Sequence, residues 1–434
     1  MNNVLSLPTT TVSLPLETGT HLLSRDTVDL YFINRLPKKR CWKSAKVIPV
    51  DYTNGTWVIT VSLYPDVTEF LYLKVLRDQV LLGCSEQSDT PALSLYAYYG
   101  LIGLMEGKDT LDLADYYWPD FFDSTSGETM LVTLTHRFGR AWVSVIEKDR
   151  KFIKPGQKIP YKLHQEAIMP LSPAAPKDHI NVAARYPIGY CLADCALLPI
   201  RYSHFPYLVR YAGYWSVKLD RMSGFNKLIT NSDDAFISSY TSAQDEINHF
   251  VRRMKTQAAI KFPDKSTSSM QRKAKKKQYS YQMHQMFSLW RQVVPLLAGQ
   301  PFTHYFWSRG LNSVKGKPKK REMIPCRFAT ETPELCFTLF EYKECYELEM
   351  KIRVGNQLLS PHRTNPTFFV RSRQDPATLY LFNSLADYRV ASFFFKYHNR
   401  IAMLKIHFEK YFKKYVDRLN EAYGPLVTYY ELNL

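Results

Sequence analysis

The chain has no run of about 18 apolar residues, so nothing in it reads as a membrane-spanning helix. Its first residues, MNNVLSLPTTTVSLPLETG, contain neither a basic stretch nor the unbroken apolar segment of an export signal. Cysteine is scarce and scattered, seven in 434 residues, far short of the dense framework of an oxidised secreted scaffold. These absences lead to the expectation of a cytoplasmic protein with no membrane partner.

Catalytic signatures are missing too. A phosphate loop needs Gly-rich backbone amides, a lysine and a hydroxyl in fixed register; the nearest approach, VKGKPKKR, has Pro318 where Ser or Thr should open a helix. DEIN at 245–248 starts like a helicase metal-binding tetrad but ends in Asn248 and reads as a solvated helix face. Cys191, Cys195 and His204 provide three of the four soft ligands that structural zinc requires, so the two cysteines read better as small core residues. There is no Gly-x-Ser-x-Gly elbow, and Glu347 and Glu349 alternate along a strand as its wet face. Neither enzymatic activity nor a cofactor or metal is expected.

The scarcest commodity is acid in one stretch. Residues 251–321 hold 17 Lys and Arg against the single acid Asp264, a balance of +16 within a chain of net charge +17, so the remainder is nearly neutral. Three clusters make up this field: Arg252, Arg253 and Lys255; Arg272, Lys273, Lys275, Lys276 and Lys277; Lys315, Lys317, Lys319, Lys320 and Arg321. Charge gathered this way attracts a phosphate backbone, and contacts that release counterions are nonspecific and steeply salt dependent. Solvation of a loop is the plainer account of the same lysines. Tyr279 and Tyr281, beside the second cluster, suit stacking on unpaired bases or packing at a helix start.

With 45% hydrophobic and 14% aromatic residues the chain can build real cores. Alternating segments DLYFINRL, AKVIPVDY, TWVITVSLY and EFLYLKVL read as strands, with TNG as a turn; SLYAYYGLIGLMEG reads as an apolar helix. ETMLVTLT and AWVSVIEK are further strands, and KLHQEAIMPLSPAAPKDH a loop or boundary. IGYCLADCALLPIRY and PYLVRYAGYWSVKL read as paired strands. SAQDEINHFVRRMKTQAAIKF and YQMHQMFSLWRQVVPLLAG have helical spacing, with Met283, Met286, Phe287, Trp290, Val294 and Leu297 on one face. PDKSTSSMQRKAKKKQ between them reads as a mobile loop. Downstream, ELCFTLFEY, YELEMKIRVGNQLL, PTFFVRS and TLYLFNS predict a four-strand meander followed by helices at LADYRVASFFFKYH and KIHFEKYFKKYVDRLNEAYG. The expectation is a multidomain α+β protein of antiparallel meanders and amphipathic helices: a strand-rich unit over 1–165, a central strand pair plus helical basic region over 166–322, and an α+β module over 323–434.

The segment IPCRFATETPELCFTLFEYKECYELEMKIRVGNQLLSPHRTNPTFFVRSRQDPATLYLFNSLADY and the later IHFEKYFKKYVDRLNEAYGPL resemble the N-terminal regions of bacterial Swi/Snf-type helicase-like ATPases, in which a Pro-Glu-Leu-x-Phe strand opens a meander and a helix with a Phe pair closes it. Upstream, YLKVLRDQVLLGCSEQSDTPALSLYAYYGLIGL is similar to a SWIM-type zinc motif, with Cys84 at one ligand position and Glu86, Ser94 and Tyr96 at the other three. Hydroxyls cannot replace thiolate or imidazole in a tetrahedral zinc site, so the resemblance implies a copy that folds without metal. It also implies a noncatalytic accessory protein, since no motor motif is present, with DNA or another nucleic acid and a separate helicase-like ATPase as partners. The alternative is an interaction scaffold docking on an acidic partner or on a separate motor subunit.

Overall fold

A computed structural model describes residues 11–32, 45–63, 67–86, 92–122, 131–146, 151–160, 171, 181–195, 204–230, 240–259, 269–362 and 364–429, with the backbone alone at 269–273, 275, 276 and 427–429. Its first elements are β1 (Val12–Pro15), β2 (Leu22–Ser24), α1 (Arg25–Leu30), β3 (Lys46–Thr53), β4 (Thr56–Leu63), β5 (Val67–Val75), β6 (Gln79–Cys84), α2 (Leu95–Met105), β7 (Thr110–Asp112), β8 (Val132–Arg137) and β9 (Arg140–Val145). Five strands form an antiparallel sheet in the order β1-β6-β5-β4-β3. The expected TNG turn joins β3 to β4, with Asn54 and Gly55 at φ 51° and 78°, the pair of left-handed residues that a tight hairpin turn demands. Helix α2 lies close on this sheet because it presents glycines to it: a Cβ at Gly100 would fall 2.9 Å from Leu71 Cδ2, and one at Gly103 only 2.4 Å from Val47 Cγ2. DLYFINRL does not start a strand. Its first residues end α1, which the Ser24 hydroxyl caps by accepting the Thr27 N–H at 3.1 Å; residues 33–36 lie outside the described set.

The middle of the chain supplies β10 (Ile188–Asp194), β11 (Tyr207–Trp215), β12 (Met222–Ile229), α3 (Ser242–Ala258), α4 (Ser269–Leu297), β13 (Thr303–Trp307) and β14 (Met323–Pro325), with sheet order β12-β11-β10-β13-β14. β10 is buried on both faces, flanked by antiparallel β11, as the sequence suggested, and by parallel β13. α3 starts at a capping box between Thr241 and Gln244 and buries Ile247, Val251, Met254 and Ala258 at helical spacing. On α4 all six residues of the anticipated apolar face are buried; Trp290 is fully enclosed and its indole N–H donates to the Pro206 carbonyl at 2.9 Å. The boundary-like stretch 162–179 falls outside the described residues except for Leu171.

The last elements are β15 (Arg327–Ala329), β16 (Glu334–Glu341), β17 (Cys345–Val354), β18 (Gln357–Leu359), β19 (Phe369–Val370), β20 (Thr378–Leu381), α5 (Leu385–Phe395), β21 (Arg400–Leu404), α6 (Lys405–His407), a π-helical turn Phe408–Phe412, α7 (Lys413–Tyr423) and β22 (Val427–Tyr429). The expected four-strand meander divides in two. β16, β17 and β18 do form a meander, but β21 pairs with β17 over Cys345–Glu349, so that edge is taken; β19 and β20 instead make a three-stranded sheet with β15. The same pairing corrects the reading of Glu347. It is 3% exposed rather than on a wet face, and its carboxylate accepts from Arg400 Nη1 at 3.2 Å.

The assembly is α+β, with no helix among the described residues long and apolar enough to cross a membrane. One core runs from the β10 sheet through α4 into the C-terminal sheets, where Trp290 stacks on Phe328 and meets Phe369 edge-on. A second core fills the N-terminal sheet and α2 and takes in Phe152, Cys345, Ala402 and Leu404. Where they meet, the Ile153 N–H bonds the Ala402 carbonyl at 2.8 Å, and the Ala402 N–H bonds the Lys151 carbonyl at 2.8 Å.

Candidate nucleic-acid interface

Arg252, Arg253 and Lys255 are exposed on the last two turns of α3. α4 runs back along α3: Arg253 shares a groove with Gln285 and Gln292, whereas Gln282 Nε2 donates to the carbonyls of Ala259 at 3.1 Å and Gln257 at 3.4 Å. Those bonds satisfy carbonyls near the end of α3 that no further helical N–H can reach. Arg272, Lys273, Lys275, Lys276 and Lys277 sit on the turns of α4 before Gln282, so at helical rise they extend beyond the α3 terminus by about 7 to 15 Å. This corrects the loop expectation, because the backbone is helical from Ser269. Ala, Lys, Arg, Gln and Met are good helix formers, and most of the Ser and Thr that suggested a loop lie upstream of the helix.

Lys315, Lys317, Lys319, Lys320 and Arg321 are exposed, on a segment anchored by buried Val314 and Pro318. The Gly316 carbonyl accepts the Leu228 N–H at 2.8 Å, and Lys255 Nζ donates to the Thr230 carbonyl. The end of β12 is therefore held between the first and third clusters, while Lys277 stands apart from both along α4. Among the described residues, Arg252, Arg253, Lys277, Lys315, Lys317, Lys319, Lys320 and Arg321 have no carboxylate at ion-pair distance. The described carboxylate nearest in sequence to the third cluster, Glu322, accepts the Lys319 backbone N–H at 3.1 Å rather than pairing with a side-chain cation. The two tyrosines part ways: Tyr279 stacks on Phe205 with centroids 5.2 Å apart, whereas Tyr281 is 63% exposed beside Gln285.

The sequence reading missed a second basic feature. A cleft of about 1040 Å³ opens between the N-terminal unit and helices α4, α5 and α7, and its walls carry Arg77, Lys158, His284, Arg389, Lys414 and Arg418 without a carboxylate among the lining residues. Arg389 Nη2 donates to Ser280 Oγ at 3.1 Å, Lys158 Nζ donates to the Thr18 carbonyl at 3.0 Å, and the Arg77 guanidinium lies 5.4 Å from the Tyr411 ring centre. Only Lys414 and Arg418, four apart on one helix, left a signal in the sequence. The other four come from separate elements.

Two groups of buried polar residues remain. Ser308 Oγ and His204 Nε2 are 2.6 Å apart, a nucleophile beside a base; His204 Nδ1 faces the Phe205 carbonyl at 2.7 Å and donates to it, which leaves Nε2 to accept the Ser308 hydroxyl. Both residues are buried, neither lines the cleft, and burial lowers the imidazole pKa. Asp194, next to it, is fully buried; desolvation pushes its carboxyl up to about 7 against hydrogen bonds such as the Thr367 N–H at 3.3 Å and the charge of Arg371. Cys191 is buried on β10, and the Cys195 sulfur accepts the His204 N–H at 3.0 Å. Among the described residues no three His, Cys, Asp or Glu side chains converge as metal ligands.

The four positions of the SWIM-like segment do lie near one another. Burial raises the Cys84 thiol pKa while a hydrogen bond with Ser94 opposes it, and the charges of Glu86 and Cys84 add to the burial that raises Tyr96. The Ser94 hydroxyl also accepts the Ala97 N–H at 3.2 Å, capping α2. No family model matches the chain, and no curated protein or solved structure matches it either.

Proposed function

We propose that this protein is a noncatalytic accessory factor that holds nucleic acid by its phosphate backbone through the three basic clusters, in the manner of the helicase-associated regions its C-terminal module resembles. The observation that carries this reading is that eight cations on α3, α4 and the Lys315–Arg321 segment have no carboxylate at ion-pair distance among the described residues. Cations left to solvent counterions gain most from displacing those ions with phosphates, and they recognise charge spacing rather than base sequence. A mobility-shift series with duplex DNA from low to physiological salt tests it. Affinity should fall linearly in log salt, and salt-insensitive or absent binding defeats the reading.

The second reading, docking on a protein such as a separate motor subunit, is favoured by the β8–β9 hairpin. Phe138 is wholly exposed at its tip, with Trp142 exposed on the returning strand and Ile146 just after it. Co-purification that survives nuclease treatment and is lost on replacing Phe138 distinguishes this reading from the first.

A further inference from the structure

We infer that the cleft between the N-terminal unit and helices α4, α5 and α7 is a distinct anion site that binds a chain of at least three closely spaced phosphates. The inference rests on other residues than the backbone-binding surface: none of the nine cluster residues whose side chains are described lines the cleft. Its first support is composition: five permanent cations and His284 line about 1040 Å³ with no lining carboxylate. Arg77, Lys158, Arg389 and Lys414 have no carboxylate at ion-pair distance among the described residues. Holding like charges on facing walls is unfavourable unless a polyanion sits between them.

A second support is that the cations are held in place before any ligand arrives. Lys158 Nζ donates to the Thr18 carbonyl at 3.0 Å, with its stem lying over Gly19, and Arg77 passes across Gly156, where a Cβ would lie 3.1 Å from its Cγ. Both glycines have positive φ, 69° and 89°, so each position is also one that a side-chain-bearing residue rarely adopts. Arg389 is fixed by Ser280 and Arg77 by the Tyr411 ring. Ordering these long side chains in advance lowers the entropy lost on binding. Three guanidinium groups favour phosphate oxygens, which their forked donors grip in pairs.

The volume sets the size of the ligand. It lies at the upper end of the roughly 300 to 1000 Å³ typical of small-molecule sites, too small for a duplex. A nucleoside triphosphate and a short stretch of single strand present the same row of phosphates. Calorimetric titration of the full chain with sodium tripolyphosphate at low salt is the test. Saturable binding is expected, weakened at least tenfold in a Lys158→Gln/Lys414→Gln variant and unchanged in a Lys108→Gln/Lys343→Gln variant, two exposed lysines outside both the cleft and the basic clusters. Displacement of tripolyphosphate by ATP assigns the site to nucleotides, and displacement by an oligo-dT ten-mer assigns it to single strands. Absence of tripolyphosphate binding, orthophosphate binding as tightly, or equal weakening by both variants overturns the inference. Retained duplex binding in the cleft variant separates failure here from failure of the backbone reading. A circular-dichroism melt of the cleft variant, expected to match that of the unmodified protein because both lysines are exposed, secures the comparison.

Discussion

Arg389 on α5 donates to Ser280 on α4 at 3.1 Å, and Ser280 lies three positions after Lys277, on the same side of the helix. One helix thus carries the cationic tract at its start, a wall of the cleft at His284 two turns later, and the Trp290 anchor of the core beyond that. Charge at one end of α4 is consequently displayed in a direction fixed by packing at the other.

Neutralising Arg272, Lys273, Lys275, Lys276 and Lys277 to glutamine is expected to weaken duplex binding and to flatten its salt dependence, by about 0.9 in log–log slope for each phosphate no longer neutralised. The melting temperature should stay close to that of the unmodified chain, since glutamine is as good a helix former as lysine. A shift assay over a salt series, paired with a thermal melt, reads both outcomes. An unchanged slope removes the tract from the interface.

Trp290→Ala should cost roughly 3–5 kcal/mol in denaturant unfolding, the range for truncating a buried aromatic. The indole fills the junction between α4 and the C-terminal sheets against Phe328 and Phe369, and its loss also leaves the Pro206 carbonyl without its donor. Loss of under 1 kcal/mol would show that the packing of α4 on the β15-β20-β19 sheet does not rely on this contact.

Asp194 sets a pH dependence of definite sign. Its folded pKa of about 7 lies above the ordinary carboxylate value near 4, so the native state binds more protons than the unfolded chain between those limits. Its contribution to stability is complete below pH ~4 and is lost as pH rises through 7, with a slope of at most roughly 1.4 kcal/mol per pH unit. His21, lowered from 6.5 to about 4 by burial first and by Lys154 second, works in the opposite sense over nearly the same range. Comparing denaturation midpoints of Asp194→Asn with those of the unmodified protein from pH 4 to 8 isolates the Asp194 contribution, and parallel curves would contradict it.

Phe138 stands at φ 51° before Gly139 at 73°, at the tip of a hairpin turn where a bulky residue is strained. Phe138→Asn creates the preferred Asn-Gly pair and is expected to raise stability by about 1 kcal/mol while removing an exposed aromatic. Should the protein-docking reading hold, the same variant loses its partner in a pull-down while melting at a higher temperature. A lowered melting temperature contradicts the strain argument.

Local periodicity alone was enough for most elements. The alternation of TWVITVSLY and EFLYLKVL, the TNG turn and the six-residue face of α4 are short-range patterns, and each recurs in the structure where the chain implied it. What periodicity could not convey was which strand edge is free. Glu347 alternates like a wet residue but is covered because β21 returns from fifty residues away to pair with β17, and that same return sends β19 and β20 to another sheet. The cleft was illegible for the same reason. Arg77, Lys158, His284 and Arg389 are isolated cations in sequence and become one site only when two cores pack together, since like charges are brought close by burial of the apolar surfaces beneath them and not by any preference of their own. The net charge and its concentration in residues 251–321 were decided by the amino-acid order itself; where the first and third clusters sit, on either side of the end of β12, was decided by tertiary packing.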